Sequence, residues 1–230
     1  MTDELKRAAA EKALELVQDG MLVGLGSGST ARYFTEGVGR LISDGMKVRG
    51  VPTSRQTAEL AAGLGIPIVT ELIGKIDLAV DGADEVDPAL NLIKGRGGAL
   101  FREKLVAVTS RRRIIIVDES KVVSALASQH PIPVEVDRFG WRHTAGRLAA
   151  LGATVQRRMA SSASMPNAPF VSDGGNYVLD CWFGPILDAV SIAARIKAIT
   201  GVIDHGLFVG MTERVYIAGA HGVQMYDRPA

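Results

Sequence analysis

The chain has 230 residues, 47% of them hydrophobic and 22% charged, with a formal net charge of +1. That length allows one large domain or one and a half, the apolar fraction suffices for a buried core, and the near-neutral charge gives no global field to draw in nucleic acid or an anionic membrane. The single cysteine, Cys181, excludes an intrachain disulfide and a cysteine-based metal cluster. It lies in the apolar stretch Val178–Phe183 and reads as a small core residue. The lack of a disulfide framework suits a reducing cytosol, so a cytoplasmic location is expected. The first residues are charged and helical in pattern, without the apolar core of a signal peptide, and no stretch approaches the ~20 apolar residues needed to span a bilayer.

From the N-terminus, Leu5, Ala8, Ala9, Ala13, Leu16 and Val17 recur at helical spacing, with Gly20 as a stop. Met21–Leu25 reads as a short apolar strand, Ala31–Ile42 as a helix and Val48–Val51 as a second strand. Thr53 to Gln56 fits a capping box that opens a helix running to about Ala62. Ile66–Thr70, Asp77–Val80 and Ile114–Val117 read as further strands, with a helix over Ala99–Leu105. Short apolar strands alternating with amphipathic helices predict a doubly wound parallel α/β sheet covered on both faces. Ligands in such sheets bind beyond the carboxyl ends of the strands, which points to Gly26–Thr30, Pro52–Ser54, Asp81–Asp87 and the loop after Ile93.

The pattern changes near Pro131 and Pro133. Val134–Val136, a helix near Arg142–Leu151, Ala153–Met159, Tyr177–Phe183 and a helix near Ile186–Ile199 give strand–helix–strand–strand–helix. This predicts a smaller inserted α+β domain of ferredoxin-like type over 130–204, acting as a lid or in oligomerisation, with 1–129 and 205–230 forming the catalytic core. Ala160–Gly175 reads as a mobile hairpin loop, and Leu207–Val209 and Val215–Ala218 as a return to the first sheet.

Three segments can carry chemistry. In Gly24–Ala31 a strand runs through glycines and hydroxyls into a helix, an arrangement suited to phosphate because backbone N–H groups and the helix dipole face the anion. A packing turn is the plainer alternative. A nucleotide fingerprint is disfavoured, since Val48–Ser54 lacks the acidic residue expected there, and no lysine completes a Walker loop. Asp81–Asp87 places four carboxylates after an apolar strand; a solvated turn and a pair that binds sugar hydroxyls, Asp81 and Asp84, compete. Its spacing is wrong for a calcium loop. Lys94–Lys104 is a glycine-rich turn that opens a helix. The turn could supply an oxyanion hole and Glu103 a base, but an ordinary surface helix explains Glu103 as well. Lys121 follows a strand at its carboxyl end, where a surface lysine is equally common. The histidines His130, His143, His205 and His221 show no metal-ligand spacing, so no metal is expected.

Taken together, GLGSGSTA at Gly24–Ala31, VPTS at Val51–Ser54, DGADEVD at Asp81–Asp87, KGRGGALFREK at Lys94–Lys104 and VDESK at Val117–Lys121 resemble the A-type ribose-5-phosphate isomerases. PVEV at Pro133–Val136 and GLF at Gly206–Phe208 extend the resemblance over essentially the whole chain. The resemblance implies an isomerase that interconverts D-ribose 5-phosphate and D-ribulose 5-phosphate in the non-oxidative pentose phosphate pathway, without a cofactor. Ser27, Gly28, Ser29 and Thr30 match the phosphate loop. Asp81, Gly82, Ala83 and Asp84 match the loop that handles the sugar hydroxyls and ring opening. Lys94, Gly95, Arg96 and Gly97 match a third substrate loop, Glu103 the general base, Lys121 a further substrate contact and Lys6 a phosphate-side lysine. Asp81 and Lys94 are expected to act with Glu103 in catalysis. The family suggests a homodimer or a tetramer, with a sugar phosphate as ligand and neither nucleic acid nor membrane as partner. One departure stands out: the family usually has Gly at the position of Arg96, where a positive φ would strain an arginine. The alternative from another class is a non-catalytic sugar-phosphate sensor on the same fold.

Overall fold

The computed structural model describes residues 3–160 and 168–228. The central part of the expected loop Ala160–Gly175, at 161–167, lies outside the described residues. The chain forms two compact units, one of Met1–Ala83, Arg102–Val122 and Gly210–Ala230, the other of Asp84–Phe101 and Val123–Val209.

In chain order the elements begin with α1 (Asp3–Leu14), β1 (Leu22–Leu25), α2 (Ser29–Ser43), β2 (Arg49–Pro52), α3 (Arg55–Gly63) and β3 (Ile76–Asp81). Next come β4 (Glu85–Val86), β5 (Leu92–Ile93), α4 (Leu100–Thr109), β6 (Ser110–Asp118), a 3-10 turn at Glu119–Lys121 and β7 (Ile132–Val136). The chain then adds α5 (Trp141–Ala150), β8 (Thr154–Arg157), β9 (Tyr177–Trp182), α6 (Ala189–Lys197) and β10 (Val202–His205). It ends with β11 (Leu207–Phe208), β12 (Arg214–Gly219) and β13 (Gly222–Asp227).

The first unit is built on a six-stranded sheet of order β13-β12-β6-β3-β1-β2. All neighbours pair in parallel except the terminal hairpin β12–β13. One face carries the larger core: Val23, Leu25, Leu78, Val80, Ile114 and Ile116 pack under α1 and α2, which contribute Ala9, Ala13, Leu14, Phe34 and Val38. The other face is covered through Val106 of α4, against Leu22, Val51, Ile76 and Ala79. The two faces account for strands that read as unbroken apolar runs rather than as alternating ones.

β1 and β3 are neighbours, but the chain leaves them in opposite directions. From β1 it passes through α2 to β2 on one side; from β3 it goes on to β6 on the other. The sheet order therefore reverses between β1 and β3, where an α/β sheet opens a crevice at its carboxyl ends.

Two expectations about this unit are corrected. Ile66–Thr70 forms no strand of the sheet; only a single parallel bridge, Gly50 to Ile68, remains of it. The cap of α3 is Ser54, whose side chain accepts from the Thr57 N–H, and not Thr53, whose hydroxyl donates to Leu25 O at 3.0 Å.

The second unit contains a four-stranded antiparallel sheet of order β10-β7-β9-β8, with α5 and α6 as its helices. The element order is β-α-β-β-α-β, the ferredoxin-like pattern. β10, absent from the expected pattern, completes it. Ile132, Val134, Val136, Leu179 and Cys181 pack against Leu148 of α5 and Ile196 of α6. A second small sheet, β11-β5-β4, is made of two-residue strands. The pairing of β4 and β5 with β11 draws Asp84–Phe101 into this unit, beyond the 130–204 span read from sequence.

Burial pushes the Cys181 thiol up to about 12. The native protein should therefore resist aromatic disulfide reagents at pH 8 and react fully in urea; rapid reaction of the native form would contradict the packing. The folded state favours the protonated thiol, so this contribution to stability is complete below the unfolded thiol's pKa and fades as pH rises toward 12.

Candidate active site

The first unit brings the glycine–hydroxyl loop and the acidic loop together. β1 ends at Leu25, and the next N–H, of Gly26, donates to Val80 O of β3 at 3.0 Å. The Ser27 N–H donates to Asp81 Oδ1 at 3.1 Å, and the Gly82 N–H to the same oxygen at 2.7 Å. Asp81, 9% exposed, is thus a carboxylate held at the crevice by two backbone donors. Gly26 makes this approach possible: a Cβ there would lie 2.3 Å from Asp81 Oδ1 and 2.6 Å from Asp81 Cα.

The loop's hydroxyls divide into two groups. Ser27 Oγ turns inward, lying 2.8 Å from both Thr53 Oγ1 and Ser54 Oγ and 3.2 Å from Thr57 Oγ1. Thr57 Oγ1 in turn donates to Gly26 O at 3.1 Å. This cluster ties the β1 loop to the start of α3 and gives the VPTS segment a physical role the sequence did not reveal. Gly28, with φ 98° and ψ 177°, is the N-cap of α2, a conformation essentially reserved for glycine. It supplies no side-chain cap to the helix. Ser29 and Thr30 open α2 there, Ser29 exposed and Thr30 half-buried. An uncapped helix start flanked by two hydroxyls offers N–H donors and a favourable dipole to an anion.

α4 carries Glu103, which is 6% exposed, while Leu105 and Val108 on its other side are 43% and 52% exposed. Glu103 shares the inward face with Val106, three residues on, which is 5% exposed. Glu103 is therefore not surface decoration. Lys121 closes the 3-10 turn after β6 and is half-buried; Asp118 caps that turn through the Ser120 N–H at 2.9 Å. Lys6 lies on α1, 3.4 Å from Asp3.

In the second unit, the remaining carboxylates of the acidic run take distinct tasks. Asp84 Oδ2 accepts the Arg96 N–H at 3.0 Å, linking the second and third loops. Glu85, fully buried, accepts N–H bonds from Ala127, Gln129 and His130 at 2.6, 2.7 and 2.7 Å, and so anchors that turn. Asp87 accepts from the Asn91 N–H at 2.8 Å. The reading of the whole run as a solvated turn fails.

Lys94 is 4% exposed, its ammonium 5.5 Å from the centre of the Phe208 ring and its N–H donating to Gly206 O at 2.8 Å. In the turn that follows, Gly95 and Gly98 have positive φ, at 99° and 85°, whereas Arg96 is not among the non-glycine residues with positive φ. The backbone strain feared at Arg96 is absent, and its side chain is exposed. The Gly95 and Arg96 carbonyls both accept from Arg158, a contact with no sequence signal because 62 residues separate Arg158 from Arg96. Among the described residues, no group of three or more His, Cys, Asp or Glu could hold a metal ion.

Comparison with known proteins agrees with this arrangement. A family model described as ribose 5-phosphate isomerase A (phosphoriboisomerase A) matches residues 49–222. The chain is 48% identical to a ribose-5-phosphate isomerase A from a Synechococcus strain, over 96% of both chains. It is also 48% identical to one from Roseiflexus castenholzii, over 100% of this chain and 98% of the other. Among solved structures, the ribose 5-phosphate isomerase from Plasmodium falciparum superposes with a TM-score of 0.94 at 40% identity, covering 100% of both chains. A D-ribose-5-phosphate isomerase in complex with phospho-erythronic acid gives a TM-score of 0.95 at 38% identity, covering 99% of this chain and 100% of the other. With a family model matched over most of its length and full-length relatives near half identity, the chain belongs to the ribose 5-phosphate isomerase A family.

Proposed function

We propose that the chain interconverts D-ribose 5-phosphate and D-ribulose 5-phosphate, in the non-oxidative pentose phosphate pathway, by proton transfer through an ene-diolate. The observation that carries this reading is a pair of carboxylates with different environments in the first unit. Asp81 is fixed at the β1–β3 crevice by two N–H donors, and Glu103 is buried on α4. In this reading Glu103 removes the proton from C2 of the open-chain sugar and returns it at C1, one carboxylate serving as base and then acid. Asp81 and Asp84 handle the sugar hydroxyls and ring opening, with Gly82 and Ala83 alongside. Lys94 and the Gly95–Gly97 turn stabilise the developing oxyanion. Gly28, Ser29 and Thr30 receive the phosphate at the start of α2, with Ser27 holding the loop's shape, and Lys121 adds a further contact. The phospho-erythronic acid bound in the solved relative is a phosphorylated, open-chain, four-carbon sugar acid, which supports a phosphorylated open-chain ligand for this chain too.

The chain is also read as cytoplasmic and self-associating. Among the described residues no helix is long and apolar enough to cross a membrane. Phe139 and Leu187, 103% and 96% exposed on the second unit, support a role for that unit in association.

The test is ribulose 5-phosphate formation from ribose 5-phosphate by purified protein in excess EDTA with no added cofactor. Robust turnover is expected. Binding of the sugar phosphate without turnover would favour the sensor instead. Thr30→Val should weaken binding of ribose 5-phosphate more than that of free ribose, measured by calorimetry; equal weakening of both would remove the phosphate from this loop.

A further inference from the structure

The second unit holds an ion pair to which the proposed function assigns no role. Arg158, the residue that follows β8, is bound through Nε to Asp180 Oδ2 at 3.0 Å and through Nη2 to Asp180 Oδ1. The two side chains are 14% and 20% exposed. This two-point fork fixes the plane of the guanidinium. The nitrogen it leaves over, Nη1, donates to Gly95 O at 3.0 Å and to Arg96 O at 2.8 Å. Two successive carbonyls of the glycine-rich turn therefore converge on one cation.

Tethering both carbonyls fixes both peptide planes. The plane between Gly95 and Arg96 carries the Arg96 N–H that binds Asp84, and the plane between Arg96 and Gly97 carries the Gly97 N–H. Within the turn the Gly98 N–H donates to Gly95 O at 2.9 Å, but the Arg96 carbonyl has Arg158 as its partner, and Arg96 and Gly97 are themselves exposed. Asp84, Arg96, Arg158 and Asp180 also line one cavity, with His130 and Trp182. From this geometry we infer that Arg158, locked by Asp180, is a positioning residue for the reaction: it sets the direction of the turn's N–H groups and, through the Arg96 N–H, the placement of Asp84. The inference rests on the isomerase reading for its kinetic consequence, but the bracing itself does not.

Lysine cannot reproduce the arrangement, because an ammonium lacks the planar fork that engages Asp180 and the two carbonyls at once. Arg158→Ala and Arg158→Lys should both lower kcat by about 10²-fold, the scale of a displacement of roughly 1 Å in a reacting geometry, with a smaller change in KM. Asp180→Asn, which keeps the shape of the side chain but loses the charge, should fall between these and the wild type.

The deciding experiment uses the full chain in two measurements. In the first, guanidinium chloride at low millimolar concentration, far below denaturing levels, is added to Arg158→Ala and to Arg158→Lys. Saturable recovery is expected for the alanine variant, whose vacated site fits the ion, and none for the lysine variant. In the second, hydrogen exchange is followed at the Arg96 and Gly97 amides. Faster exchange there is expected in both variants, with the helices α5 and α6 unchanged. Activity of Arg158→Ala within twofold of wild type, no guanidinium recovery, or unchanged exchange at these amides would each overturn the inference. If the wild type itself shows no isomerase activity, the functional reading fails, and the exchange measurement alone decides the bracing.

Discussion

Glu103→Gln is expected to lower kcat by ~10²–10⁴ while leaving KM nearly unchanged, because in the proposed mechanism it removes the proton acceptor without removing a binding group. The position supports a clean interpretation. Glu103 sits on the inward face of α4 beside Val106, and glutamine has almost the same volume, so the helix should seat as before. Thermal unfolding of the variant should therefore match the wild type within a few degrees. Steady-state kinetics in both directions check the prediction. A variant with unchanged turnover would remove Glu103 as the base, and a variant that is inactive but also unfolded would be uninformative, which Glu103→Asp addresses: a shortened carboxylate should retain part of the activity that glutamine loses.

Gly26→Ala is expected to cost both stability and activity. The added methyl would lie 2.3 Å from Asp81 Oδ1 and 2.6 Å from Asp81 Cα, and the second of these is backbone that cannot swing aside. The β1 loop and the end of β3 must separate, which strains the Gly26 N–H to Val80 O and Ser27 N–H to Asp81 bonds together. Overpacking of this kind costs about 1–3 kcal/mol. For a chain of this size that corresponds to a fall in Tm of roughly 2–4 °C per kcal/mol. Activity should fall further than stability alone explains, since Asp81 moves with the loop. Gly63→Ala serves as the control: nothing lies within 4 Å of a Cβ at that position, so neither quantity should drop. Equal behaviour of the two variants in melting and turnover assays would contradict the close approach.

Much of the first sheet was legible because each of its strands is a short apolar run bounded by glycine, proline or polar residues. Met21–Leu25 and Ile114–Val117 needed no tertiary information to be recognised. Ile66–Thr70 has the same local look, yet it contributes only one bridge beside Gly50, because strand formation depends on a free neighbouring edge as well as on propensity. The two-residue strands β4, β5 and β11 carry no period at all and exist only through their pairing. β13 was missed for a different reason: it is mostly exposed and pairs on one side only, so its residues show little alternation of buried and exposed positions.

The site was legible as a set of segments rather than as roles. The sequence picked out the glycine–hydroxyl loop proposed to take the phosphate but counted Ser27 with its neighbours, whereas its hydroxyl is spent on Thr53, Ser54 and Thr57. It located four carboxylates but could not tell Glu85, which holds three backbone N–H groups, from Asp81 and Asp84. It left Glu103 open between surface and site, a choice that burial on α4 resolves in favour of the interior. Arg158 left no trace, because its partners Gly95 and Arg96 are distant in the chain and those contacts are to backbone carbonyls, which any sequence supplies; Asp180 left none because its partner is Arg158, 22 residues away.

The most direct test of the central claim is to run the isomerisation of ribose 5-phosphate in D2O and follow the products by NMR. Proton transfer through an ene-diolate predicts ribulose 5-phosphate carrying a solvent deuteron at C1 in at least part of the product, with the wild type active and Glu103→Gln producing neither product nor label at a comparable rate. Product formed with no deuterium at C1 would contradict an exchangeable proton on Glu103, and no product from the wild type would contradict the isomerase assignment itself.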